Sequence, residues 1–117
     1  MSTDFPFKIE TLLDQCGGSK DVGGMVLDEF LVQVETDVKE MQSCIASGDL
    51  MQVNKAGHRL KGTAGVLGAS NLHSLCLAIE TAGKEGNAEE VTKIYSELKA
   101  EADRCIAAVP EARSRLG

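Results

Sequence analysis

His58 begins the run His58-Arg59-Leu60-Lys61-Gly62-Thr63-Ala64-Gly65 and is one of two histidines in the 117-residue chain. A neutral imidazole is a nucleophile near pH 7, with a lone pair on one ring nitrogen and a hydrogen on the other. A lysine three residues on falls one helical turn away, where its charge can balance an anion that the ring receives. Glycine costs a helix interior about 1 kcal/mol relative to alanine, so Gly57, Gly62 and Gly65 in a stretch of helical apolar spacing need a reason. Access of a partner to an uncrowded ring is such a reason. These residue types suit acceptance of a phosphoryl group by Nε2 of His58, with Lys61 balancing charge on the transferring oxygens.

The elements that must hold these residues are all helical. A short segment near Ile9 to Cys16 precedes Gly17-Gly18. A long one follows from about Ser19 to Ser47, with Val22, Val26, Phe30, Val34, Val38, Met41 and Ile45 at three- and four-residue steps. Ser19 suits its N-cap and Gly48 its stop. Asp49, with Gln52 three residues on, opens a helix to about Leu67, and Gly68 ends it. Ser70 restarts the chain, and Leu72, Leu75, Cys76, Ile79 and Ala82 form a stripe that fades at Gly83 and Gly86. Asn87 with Glu90 opens a last helix that carries Val91, Ile94, Leu98, Ala102, Cys105 and Val109 to Pro110. Short connections require antiparallel neighbours, so the expected fold is all-α: an antiparallel up-and-down four-helix bundle with a short additional N-terminal helix. One domain spans residues 1–117, its helical core about 5–109 and a polar, frayed tail at 110–117.

Within the second long helix, Leu50, Val53, Gly57, Leu60, Ala64 and Leu67 make a buried seam. His58 is off it. Asn54, His58, Lys61, Gly62 and Gly65 share a neighbouring face directed mainly to solvent, so the ring is presented to a partner. On this reading Gly57 serves helix packing, whereas Gly62 and Gly65 clear the approach. From Leu50 to Ile79 the only charged residues are Lys55, Arg59 and Lys61, a local +3 against −9 for the rest of the chain. A basic spot in an acidic protein suits an anionic partner, with Lys55 and Arg59 at its rim.

The formal charge of −6 and pI near 4.8 argue against nucleic acid or an anionic membrane as partner. No apolar run reaches the ~20 residues of a membrane span. The start, Met1-Ser2-Thr3-Asp4-Phe5-Pro6, has no basic segment followed by an apolar one, so a cytoplasmic location is expected. Cys16, Cys44, Cys76 and Cys105 form no Cys-x-x-Cys pair and read as reduced, buried thiols. No phosphate-cradling Gly-x-x-x-x-Gly-Lys-Ser/Thr loop occurs, so a phosphoryl donor would be another protein.

The segment His58-x-Leu60-Lys61-Gly62-x-Ala64-x-x-x-Gly68, continued by Leu72, Leu75, Cys76 and Ile79, resembles the motif of the histidine-containing phosphotransfer family. These are phosphorelay modules that pass phosphoryl groups between receiver-domain aspartates. The five-segment layout is similar too, over roughly residues 5 to 109. The resemblance implies that His58 carries the phosphoryl group on Nε2, Lys61 neutralises it and Gly62 keeps space for the receiver. It implies response-regulator receiver domains as partners, a hybrid sensor histidine kinase among the candidates, and Mg²⁺ supplied by the receiver, with no cofactor or metal bound by this chain. Many relatives have a glutamine 22 residues after the histidine that bonds the other ring nitrogen, where this chain has Glu80. A carboxylate there would accept from Nδ1–H and leave Nε2 free. The expected role is a monomeric phosphoryl carrier without turnover of its own. The alternatives are a non-phosphorylated helical module that binds and regulates a receiver or kinase, and a metal or haem bundle using His58 and His73. His73 by itself reads as an ordinary helix-terminal residue.

Overall fold

The computed structural model describes residues 5–117, so Met1 to Asp4, which open the segment used to judge a leader, lie outside the described residues. Five helices follow in order: α1 (Ile9–Gln15), α2 (Lys20–Ser47), α3 (Leu50–Val66), α4 (Ser70–Lys84) and α5 (Ala88–Leu116). Local chemistry sets their starts. The side chains of Ser19, Asp49 and Asn87 each accept a hydrogen bond from the backbone N–H three residues on, satisfying a donor that the first helical turn leaves free. Gly48, with φ +80, ends α2 in the left-handed conformation that a side chain would oppose.

The connections 48–49, 67–69 and 85–87 are too short for anything but a reversal of direction. Helices α2 to α5 therefore form an antiparallel ring, each packed on two neighbours, and α1 lies across α2, α3 and α5. The bundle measures 43 × 26 × 18 Å, its long axis close to the rise of a 28-residue helix. Leu27, Phe30, Val34 and Met41 of α2 meet Val53, Leu60 and Ala64 of α3, Leu72, Cys76 and Ile79 of α4, and Val91, Leu98 and Cys105 of α5 in one apolar interior. No helix among the described residues is long and apolar enough to cross a membrane.

Three details depart from the expectations. The buried stripe of α2 starts at Gly23 and Leu27, while Val22 is exposed, because the helix face turned to α5 there has to admit Leu116. Only Cys76 and Cys105 are buried, and burial pushes both thiols up to about 12; Cys16 and Cys44 are free and half-buried.

The tail is the third. It is not frayed: α5 passes through Pro110 to Leu116. Proline inside a helix removes a backbone donor and costs about 3 kcal/mol, but the added turns bury Ala112 and Leu116. Arg113 reaches Asp28 and the carbonyl of Gly24, and the Arg115 guanidinium lies 3.8 Å over the Phe5 ring. Burial and tethering offset the proline.

Candidate phosphoacceptor site

α3 and α4 approach so closely that side chains between them are excluded. A Cβ at Gly57 would lie 2.9 Å from Ile79 Cγ2, and one at Gly83 2.8 Å from the Leu50 carbonyl oxygen. Gly57 is thus a packing glycine as its place on the seam suggested. Gly83, expected where the stripe fades, has the same role within α4. The close crossing brings Glu80 of α4 beneath the exposed face of α3, where Asn54 Nδ2 donates to the Glu80 carbonyl at 2.7 Å.

His58 projects outward with 67% of its side chain exposed, and its Nδ1 is 2.7 Å from Glu80 Oε2. The Glu80 carboxyl, only 18% exposed, is held below its ordinary range chiefly by the hydrogen bond from Lys61, with that to His58 adding to it and desolvation opposing. An ionised carboxylate can only accept. The Nδ1 of neutral His58 therefore carries the hydrogen, and Nε2 keeps its lone pair on the solvent side. Lys61 Nζ donates to the other oxygen, Oε1, at 2.6 Å. One carboxylate contacts both side chains.

Gly62 is exposed, and a Cβ there would meet nothing within 4 Å, so the space beside the ring is open. Gly65 is exposed too, and a Cβ there would come within 3.7 Å of His73 Cδ2, at the head of α4. Two residues that the face reading did not name complete the surface: Met51 on α3 and Leu77 on α4 are large apolar side chains left exposed. An open cleft beside Glu80 is lined by Asn54, Lys61, Leu77, Thr81 and Lys84.

The local +3 is corrected by the fold. Arg59 donates to Asp37 of α2 at 3.0 Å and pairs with Glu40, and Lys61 is paired with Glu80. Three carboxylates distant in sequence thus face two of the three cations. Lys55 stays exposed and without an ion pair among the described residues, whereas Arg59 is a bridge between helices. Asp37 is 2% exposed and also accepts from Gln33 Nε2, whose Oε1 accepts from Thr63. Its sequence signal was an acid next to Val38 in the buried stripe, a position that requires a partner. No group of three or more His, Cys, Asp or Glu placed to hold a metal occurs among the described residues.

The fold and the chain have relatives. The family model for the Hpt domain matches residues 25–109. Multistep phosphorelay regulator 1 of Schizosaccharomyces pombe is 31% identical over 68 residues, 58% of this chain. The chain spans 23% of that curated relative's length. Among solved structures, histidine-containing phosphotransfer protein B of Pseudomonas aeruginosa PAO1 superposes with a TM-score of 0.86 at 18% identity, covering 97% of this chain and 98% of that one. The HPT domain of a sensor hybrid histidine kinase from Shewanella gives 0.82 at 21% identity, covering 95% and 96%.

Proposed function

The chain belongs to the Hpt domain family, whose role is histidine phosphotransfer in phosphorelays, and from that premise we propose that His58 is the phosphoryl carrier and works through Nε2. The observation that carries this reading is the contact of Nδ1 with Glu80 while the rest of the ring stands exposed. In the proposed step the Nε2 lone pair attacks the phosphorus of a receiver's aspartyl phosphate. The Nε2–P bond forms as the P–O bond breaks, and the aspartate leaves as carboxylate with the bonding pair. The Nδ1 hydrogen stays on the ring, facing Glu80. Onward transfer reverses the roles, with the imidazole leaving neutral and a second receiver's carboxylate attacking.

Mg²⁺, in this proposal, belongs to the receiver's acidic pocket and lessens repulsion between the phosphoryl oxygens and the incoming groups. Lys61 supplies charge from this chain. The receiver docks over Gly62, with Met51 and Leu77 as apolar contacts and Lys55 at the rim, and Arg59 acts from beneath by tying α3 to α2. Each transfer is stoichiometric and the carrier acts as a monomer, taking its phosphoryl group from a receiver, free or within a hybrid kinase.

Incubation with phosphorylated receivers tests the reading. Wild type gains an acid-labile phosphate and His58→Ala gains none. Equal labelling of both would reject His58, and binding without labelling would leave the non-phosphorylated module as the function.

A further inference from the structure

We propose that Glu80 is a positioning residue that holds Lys61 on its Oε1 while His58 is free and releases it to the phosphoryl group when His58 is charged. The inference rests on the reading of His58 as the carrier and adds a partner exchange to it.

Both carboxylate oxygens are in use in the uncharged protein, Oε2 by the ring and Oε1 by the ammonium. The ion pair is mostly shielded, with 24% of Lys61 and 18% of Glu80 exposed. A phosphoryl group on Nε2 brings a charge of about −2 and several strong acceptors to the side of the ring away from Glu80. With Nδ1–H kept, the charged ring is itself an imidazolium against Glu80 Oε2, and Lys61 is the mobile cation between the carboxylate and the phosphoryl oxygens. Its flexible stem allows it to turn from one to the other, and it cannot give its full charge to both.

The other charged groups around the ring do not replace it. On α3, Lys55 is exposed to solvent and Arg59 is engaged by Asp37 and Glu40 of α2. On α4, Lys84 and Glu85 lie farther along the cleft, one turn beyond Glu80. Lys61 is the cation already in contact with the group that positions the ring.

The consequence is a bias. Breaking the Lys61–Glu80 pair opposes charging of His58, and restoring it favours onward transfer. Glutamine at the same position would still offer Nδ1–H its amide oxygen but would turn an NH2, a donor, toward Lys61 and so release it. A shielded ion pair exchanged for a neutral contact should move the equilibrium several-fold.

The test is a double-mutant cycle on the full chain. Wild type, Glu80→Gln, Lys61→Met and the double variant are each equilibrated with one phosphorylated receiver, and the ratio of phosphorylated carrier to phosphorylated receiver is read. The exchange predicts that the effect of Glu80→Gln on the ratio is about fivefold more favourable to the charged carrier with Lys61 present than in the Lys61→Met background, where only the contact with Nδ1–H is changed. An equal effect in both backgrounds, or one less favourable with Lys61 present, overturns it. Should Lys61→Met not become charged, the through-hydrogen-bond coupling between Lys61 ¹⁵Nζ and the Glu80 carboxyl ¹³C of wild type decides: it is lost on phosphorylation if Lys61 leaves, and kept if the pair persists. Loss of label from wild-type His58 in the same samples would instead bring down the carrier reading itself.

Discussion

At the scale of residues, one carboxylate between an imidazole and an ammonium organises the chemistry. Glu80 meets Nδ1 of His58 with one oxygen and Nζ of Lys61 with the other, and in the proposed function that pairing selects Nε2 as the nucleophile. The same pairing makes Glu80→Gln informative as a rate measurement: near pH 7 it should accept a phosphoryl group at least as fast as wild type, because Lys61 is freed and Nδ1–H keeps an acceptor. A large loss of rate in single-turnover labelling would show that the carboxylate charge itself is required. Gly62 invites a different substitution. Open space around it means that Gly62→Gln should leave the melting temperature nearly unchanged while lowering transfer from a receiver by at least about tenfold, the effect of misplacing reacting groups by an ångström or so. Unaltered transfer would remove the clearance role. His58, Lys61 and Gly62 were legible in the sequence because they share one helical face within two turns. The engagement of Arg59 was not, since Asp37 and Glu40 lie 22 and 19 residues away on another helix.

At the scale of elements, the site depends on how closely α3 and α4 cross. Gly57 and Gly83 let the backbones meet, and that approach puts the Glu80 carboxylate within hydrogen-bond reach of α3. Gly57→Ala should therefore destabilise the fold by about 1–3 kcal/mol, the usual effect of overpacking, because its Cβ would meet Ile79 and the Cys76 carbonyl. Denaturant unfolding reads that loss, and an unchanged midpoint would mean that the helices separate freely. Helix starts at Ser19, Asp49 and Asn87 were readable because capping is a local hydrogen bond three residues long. The first turns of α2 were harder. Val22 and Gly23 are neighbours in sequence, and which one faces inward is decided by Leu116 at the other end of the chain.

At the scale of the whole molecule, the described residues of the acidic bundle form no broad basic patch over the face that carries His58. Arg59 and Lys61 are neutralised by α2 and α4, so the proposed docking would rely on apolar Met51 and Leu77, open Gly62 and the single charge of Lys55. The end of the chain belongs to the same unit. Proline and a polar composition read as a stop at residue 110, yet the spacing of Cys105, Val109, Ala112 and Leu116 continues the buried stripe of α5. Leu116→Ala should cost about 2–3 kcal/mol by thermal or denaturant unfolding, at the low end for a leucine because the site lies at the end of a helix. No loss would show the terminal turn to be undocked. The central claim concerns one atom of the whole assembly, and ¹⁵N–³¹P correlation NMR on the phosphorylated chain addresses it directly. The predicted result is a single phosphorus coupled to Nε2 of His58, with Nδ1 still bearing its hydrogen. Coupling to Nδ1, or phosphorus on any other residue, would contradict it.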